Sequence, residues 1–139
     1  MSLKALIVTA ALQNGVDPQI ALSVAFVESG FDHSKVSPTN DYGVFQLNIR
    51  SFPEAPELTV DENVRVGIKH LAWVKKHCKI DQDRIMEIGP SIQLPNMEYL
   101  WVNCYNAGVV GTAKILKPWD YGYYKRVMEE YERNKKPKK

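Results

Sequence analysis

The chain has 139 residues, of which 45% are hydrophobic and 24% charged, and its formal net charge is +2. That length suits one domain with a single core, and the balance excludes an intrinsically disordered chain. It also excludes a polycation built for nucleic acid, and no apolar run reaches the roughly 18–20 residues that a bilayer span requires.

Leu3, Leu6, Ile7, Ala10 and Ala11 recur at helical spacing up to Gly15, which predicts an amphipathic first helix. Polar Thr9, Gln13 and Asn14 interrupt the stretch and no small-residue cleavage site follows, so it is not expected to be a signal peptide. Asp17-Pro18 restarts a helix, with an aspartate cap and proline at the first position. Ile20, Ala21, Val24, Ala25 and Val27 make it apolar on almost every face, Glu28 sits on its last turn, and Gly30 closes it.

From Asp32 to Pro56 the periodicity breaks into turn-formers, Ser37-Pro38-Thr39-Asn40-Asp41 among them. The run Val44-Phe45-Gln46-Leu47-Asn48-Ile49 reads equally as a short strand or a brief helical turn. Asp61 opens a third helix with Val64, Gly67, Ile68, Leu71, Val74 and Cys78 on one face. Residues 79–95 are irregular, with one short helix expected around Arg84 to Ile88. A fourth helix runs from about Asn96 through Leu100, Trp101 and Cys104 to Gly108, and Asp120 caps a last one bearing Tyr124, Val127, Met128 and Tyr131. The expected fold is mainly α with one irregular or β excursion after Glu28. Residues 1–134 form a single domain and 135–139 a basic tail, read as a frayed solubilising end or as a weak attractor of an anionic polymer.

Cys78 and Cys104 form no Cys-x-x-Cys pair, and each falls near the end of an apolar helical pattern. Buried free thiols are the expectation, and a disulfide between two helices stays open. His70 and His77 share a helical face without a carboxylate to complete a cluster, so no metal and no cofactor are expected. Trp73, Trp101 and Trp119 are candidates for stacking on sugars, with Trp101 assigned to the core and Trp119 a possible cleft wall.

Glu28 is the candidate for acid–base chemistry. A carboxylate at a helix C-terminus faces the negative end of the macrodipole, and Phe26, Val27 and Phe31 would desolvate it in a cleft. Both effects favour the neutral acid, which near neutral pH can protonate a glycosidic oxygen. By itself, a glutamate at a helix end is more often solvated.

Its surroundings change that weighing. Glu28-Ser29-Gly30-Phe31, then Ser37, then Gly43-Val44-Phe45-Gln46, and later Tyr105-Asn106-Ala107-Gly108, resemble the lytic transglycosylases of the soluble-transglycosylase type. There a Glu-Ser pair ends a helix, a serine follows and a Gly-Leu-Met-Gln run comes next, both of whose hydrophobic positions are substituted here. The later Tyr-Asn-Ala-Gly signature is matched without change, and Asn63 fits the helix that lies between. The likeness spans roughly residues 16 to 130.

The resemblance implies a lysozyme-like fold that cleaves the β-1,4 bond between N-acetylmuramic acid and N-acetylglucosamine, leaving 1,6-anhydromuramoyl ends. Glu28 would be acid and then base. Ser37, Tyr42 and Gln46 would contact the glycan, Tyr105 would lie against Glu28, and Asn106 would fix its loop. Ser29 would either brace the helix end or touch the peptide stem. Phe45 and Leu47 are expected in the core.

Asp41 complicates this, because Asp41-Tyr42-Gly43-Val44-Phe45-Gln46-Leu47-Asn48 also resembles a lysozyme signature whose aspartate is a second catalytic carboxylate. A local turn bond is its alternative role. Asp32 is a further carboxylate, expected in solvent. A hydrolytic muramidase using Asp41 or Asp32 and a non-catalytic glycan-binding module are therefore the competing functions. The expected partner is peptidoglycan, met by a monomer without membrane insertion or nucleic acid. Lacking an export signal, the chain would reach the wall as a bacteriophage virion or lysis protein, or within a larger exported protein.

Overall fold

Asp17 and Pro18 start the helix that organises the molecule. The Asp17 carboxylate accepts a hydrogen bond from Gln19 N at 2.8 Å, and α2 then runs over Pro18–Ser29. Gly30 ends it in the left-handed region at φ 62°, a conformation glycine adopts without steric cost. Ile20, Ala21, Val24 and Ala25 are fully buried, and each large one among them contributes roughly 1.5–3 kcal/mol. The small Ala21 and Ala25 let neighbours approach closely: α1 (Leu3–Gln13) and α5 (Gly122–Lys135) both pack on α2. The computed structural model describes residues 1–78, 97–113 and 117–135.

After Gly30 the chain turns into a small hairpin. Asp41–Tyr42 (β1) pairs antiparallel with Leu47–Asn48 (β2), Asp41 opposite Asn48 and Tyr42 opposite Leu47. Of the two readings left open for Val44 to Ile49, the strand is found at Leu47–Asn48. Gly43 at φ 80° and Gln46 at φ 51° close a turn that drives Val44 and Phe45 into the core.

α3 spans Val60–His77 and starts earlier than Asp61, because Thr59 and Glu62 form a reciprocal capping box. Asp61 falls in the first turn, where its charge suits the dipole. The Leu100 to Cys104 region begins as a 3-10 helix over Met97–Val102 and continues as α4, Asn103–Ala113. Gly108 (φ 77°, ψ 163°) leaves the helical region and breaks this span into two helices that meet at a kink, so the first of them stops at Gly108 as expected. Asp120 does not cap α5. It lies in a 3-10 turn, Pro118–Asp120, and pairs with Lys125 at 3.4 Å. The stretch at 79–95, with its expected helix at Arg84 to Ile88, lies outside the described residues, as does most of the tail.

The expectation of free thiols is overturned: Cys78 and Cys104 form a disulfide, with Cα atoms 5.9 Å apart. α3 packs on α4, which brings the end of one beside the start of the other. Trp101 is buried in the core, and so is Trp119. Among the described residues, no helix is long and apolar enough to cross a membrane.

Candidate active site

Glu28 is half-buried on the last turn of α2, and Tyr123 of α5 donates its hydroxyl to Glu28 Oε2 at 2.8 Å. Burial pushes the Glu28 carboxyl up to about 7. The Tyr123 bond and the charges of Lys35 and Arg126 pull it down, while the charge of Asp41 pushes it further up. Near neutral pH the group therefore exists in both forms, able to give a proton and to take one back. Lys35 also donates to the Glu28 backbone carbonyl at 2.7 Å, which secures the helix end.

The other motif residues converge on one short turn, Gly43 to Gln46. Ser29 Oγ donates to Val44 O at 2.8 Å, with Ala25 O at 3.2 Å as the longer alternative. Fully buried Asn63 accepts from Phe45 N at 3.0 Å and donates to Tyr42 O at 2.9 Å. Tyr105 donates to Phe45 O at 2.6 Å. Gln46 Nε2 reaches Gly43 O at 2.9 Å and Lys35 O at 3.1 Å. Only glycine fits at 43, since a Cβ would collide with the Asn63 amide and lie 2.9 Å from His33 Nδ1. Positive φ at Phe31, Asn40 and Gln46 costs of order 1–3 kcal/mol each, and among the described residues no other non-glycine residue adopts it.

Ser29 is buried with its hydroxyl on backbone carbonyls, an arrangement that fits the first of the two roles expected of it, bracing the helix end. One expectation changes here. Tyr105 does not bond Glu28: that hydroxyl belongs to Tyr123, although the Glu28 charge still reaches the Tyr105 phenol, which burial first holds well above its ordinary range.

Asp41 is taken up by its own loop. Ser37 Oγ and Thr39 Oγ1 each donate to Oδ2 at 2.6 Å, and Asn48 Nδ2 donates to Oδ1 at 2.9 Å. Burial alone would raise Asp41, but these bonds outweigh it and hold the carboxylate below its usual range. Asp32 is exposed and accepts from Ser34 N and Oγ, as expected of a solvated turn residue.

Beside this turn lies a cavity of about 490 Å³, bounded by the hairpin, α3 and α4. Asp41, Gln46, Tyr105 and Asn106 line it, together with Thr39, Ser51, Phe52, His70 and Trp73. Glu28 is not in its wall; it is coupled to the wall through the charges of Asp41 and Tyr105. Ser37 and Tyr42 are also outside the lining: Ser37 holds Asp41, and Tyr42 packs on the core edge. Asn106 accepts from Tyr121 at 3.2 Å. Trp119, offered as a possible cleft wall, belongs to the core and does not line this cavity. Among the described residues, no group of three or more His, Cys, Asp or Glu is placed to hold a metal.

Tyr123 is the residue that sequence reasoning missed. It stands four before Val127 on the same buried face, a spacing that gives packing but no hint that its hydroxyl meets Glu28.

No curated protein matches the chain. A family model described as the transglycosylase SLT domain matches residues 5–118, which covers most of α1 through Pro118 and every motif gathered around the Gly43 to Gln46 turn. With its mainly α, lysozyme-like fold, the chain belongs to the transglycosylase SLT domain family, enzymes that act on peptidoglycan in the cell wall.

Proposed function

We propose that the chain is a lytic transglycosylase that cleaves between N-acetylmuramic acid and N-acetylglucosamine with Glu28 as its single acid and base. Protonated Glu28 gives its proton to the glycosidic oxygen as the bond to the muramoyl C1 breaks. The resulting carboxylate takes the proton of the muramoyl C6 hydroxyl, whose oxygen closes onto C1. Glu28 ends protonated, no water is consumed, and an anhydro end is left. The nucleophile belongs to the substrate, so the step gains from proximity and needs no second carboxylate.

The observation that carries this reading is the asymmetry between the two carboxyls. Glu28 is pushed up to about 7 by burial, while three side chains occupy both oxygens of Asp41. A free water-activating base is what the hydrolytic alternative would need. Gln46 and Asn106, on the cavity wall, are the proposed glycan contacts, with Tyr105 holding the turn between them and Glu28. Ser37 and Tyr42 act through the hairpin. The Cys78–Cys104 disulfide suits an oxidising compartment, where the wall lies. Delivery by a phage or within a larger exported protein would both bring the domain there.

Release of soluble muropeptides from purified sacculi tests the assignment. Glu28→Gln is expected to lose roughly 10²–10⁴-fold in rate, the usual worth of a general acid. A variant retaining the parent rate within a few-fold would remove Glu28 from the chemistry.

A further inference from the structure

Trp73 is 50% exposed, whereas Trp101 and Trp119 are 8% and 9% exposed and belong to the core. An indole left half in water presents a large apolar surface to solvent. It is not isolated. Its ring is nearly parallel to His77 at 4.4 Å between centroids and to His70 at 6.0 Å. His70 in turn meets Phe52 edge-on at 5.2 Å and Tyr105 at 5.5 Å. His77 Nδ1 lies 2.9 Å from the Trp73 carbonyl, which fixes the imidazole over one face of the indole. The spacing of 70, 73 and 77 puts the three rings on one side of α3.

Phe52, His70, Trp73 and Tyr105 of this group line the cavity that Asp41, Gln46 and Asn106 also line. The same lining carries polar side chains, Thr39, Ser51 and Asn106, all exposed. Aromatic rings and exposed polar side chains in one lining match a pyranose, whose C–H faces lie on aromatic rings while its hydroxyl and acetamido groups point outward. The volume of about 490 Å³ lies in the range of roughly 300–1,000 Å³ usual for small-molecule sites. Trp73 is ten residues beyond Asn63, the anchor of the Gly43 to Gln46 turn, a rise of about 15 Å along α3. The Cys78–Cys104 disulfide ties the end of this helix to the residue before Tyr105, so both are held to one frame.

We propose that Trp73 is a sugar-stacking platform, supported by His70 and His77, and that it binds an N-acetylhexosamine ring of the glycan strand at a distance from the bond being cleaved. The proposal rests on the glycan-cleaving reading above and adds a binding subsite to it. Trp73 is a binding and positioning residue, with no part in proton transfer.

Intrinsic fluorescence tests it directly, because Trp73 is the exposed indole and the other two are buried. The titrants are isolated glycan strands freed of peptide, and chitotetraose, added to Glu28→Gln so that no cleavage intervenes. Strand binding is expected to shift the emission to the blue. In the Glu28→Gln background, Trp73→Ala is expected to lose that shift and to bind strands about tenfold more weakly by calorimetry, with an unchanged melting temperature. Trp73→Phe keeps a smaller platform and is expected to fall between the two. With Glu28 intact, Trp73→Ala should raise KM and leave kcat close to the parent value. Strand affinity within twofold of the parent for Trp73→Ala would overturn the subsite while leaving the glycan-cleaving reading in place. Absence of any strand binding by Glu28→Gln would overturn both.

Discussion

Tyr123 donates a 2.8 Å hydrogen bond to Oε2 of Glu28 from 95 positions further along the chain. The bond joins α5 to the end of α2 and opposes the effect of burial on the carboxyl, since a hydroxyl donor favours the ionised form. The balance leaves Glu28 close to neutrality, where one group can serve as acid and then as base.

Tyr123→Phe keeps the ring in the core and removes only the donor. The Glu28 carboxyl should then rise above about 7, by roughly one pK unit given the usual worth of a bond to a charged group. The falling limb of kcat/KM against pH, which reports loss of the protonated acid, should move to higher pH by that amount. An unmoved limb, or one moved downward, would mean that the Tyr123 bond does not set the acid.

Asp41→Asn removes the neighbouring charge that raises Glu28. The same limb should move to lower pH, and activity below it should stay within about tenfold of the parent, because an amide can still bond Ser37 and Asn48. If Asp41 activated water, the loss would reach the roughly 10²–10⁴-fold expected of a general base. The pH profile of the purified variant separates these outcomes.

Glu28 should also leave a mark on stability. Its folded value of about 7 exceeds the ordinary 4.5, so between those values the native state binds more protons than the unfolded one. Stability must then fall as pH rises from about 4.5 to 7 and level off above, by up to about 3 kcal/mol. Glu28→Gln should melt higher than the parent at pH 8 and match it near pH 4. Equal melting temperatures at both values would contradict a buried, raised carboxyl.

Cys78 and Cys104 close a loop with a sequence separation of 26. Opening such a loop is expected to cost about 3–4 kcal/mol through the unfolded state. Melting with and without a strong reductant checks this, and the Cys78→Ala/Cys104→Ala double variant should melt like the reduced protein. No difference between the oxidised and reduced forms would contradict the disulfide.

Much of the fold was legible because its signals are local. Asp17-Pro18 and Gly30 bound α2, and the helical spacing of its apolar residues buries it, so Glu28 at its end could be singled out. The Thr59-x-x-Glu62 box was equally local, and it outcompeted Asp61 as the start of α3. Long-range pairings were less accessible. Two cysteines alone do not reveal that they are bonded, and Tyr123 reads as one more packed ring until α5 is laid on α2. The backbone contacts of the motif residues were readable only in part, through the bracing role left open for Ser29. Ser29, Asn63 and Tyr105 all turned out to grip the Gly43 to Gln46 turn through its backbone, a role no side-chain pattern encodes.

The central claim is that Glu28 works alone and the substrate's own C6 hydroxyl replaces water. Digestion of purified sacculi in heavy-oxygen water, followed by mass spectrometry of the released muropeptides, tests it most directly. The predicted products are anhydromuramoyl species, lighter by one water than the hydrolysis products and free of label. Reducing ends carrying the heavy isotope would contradict it.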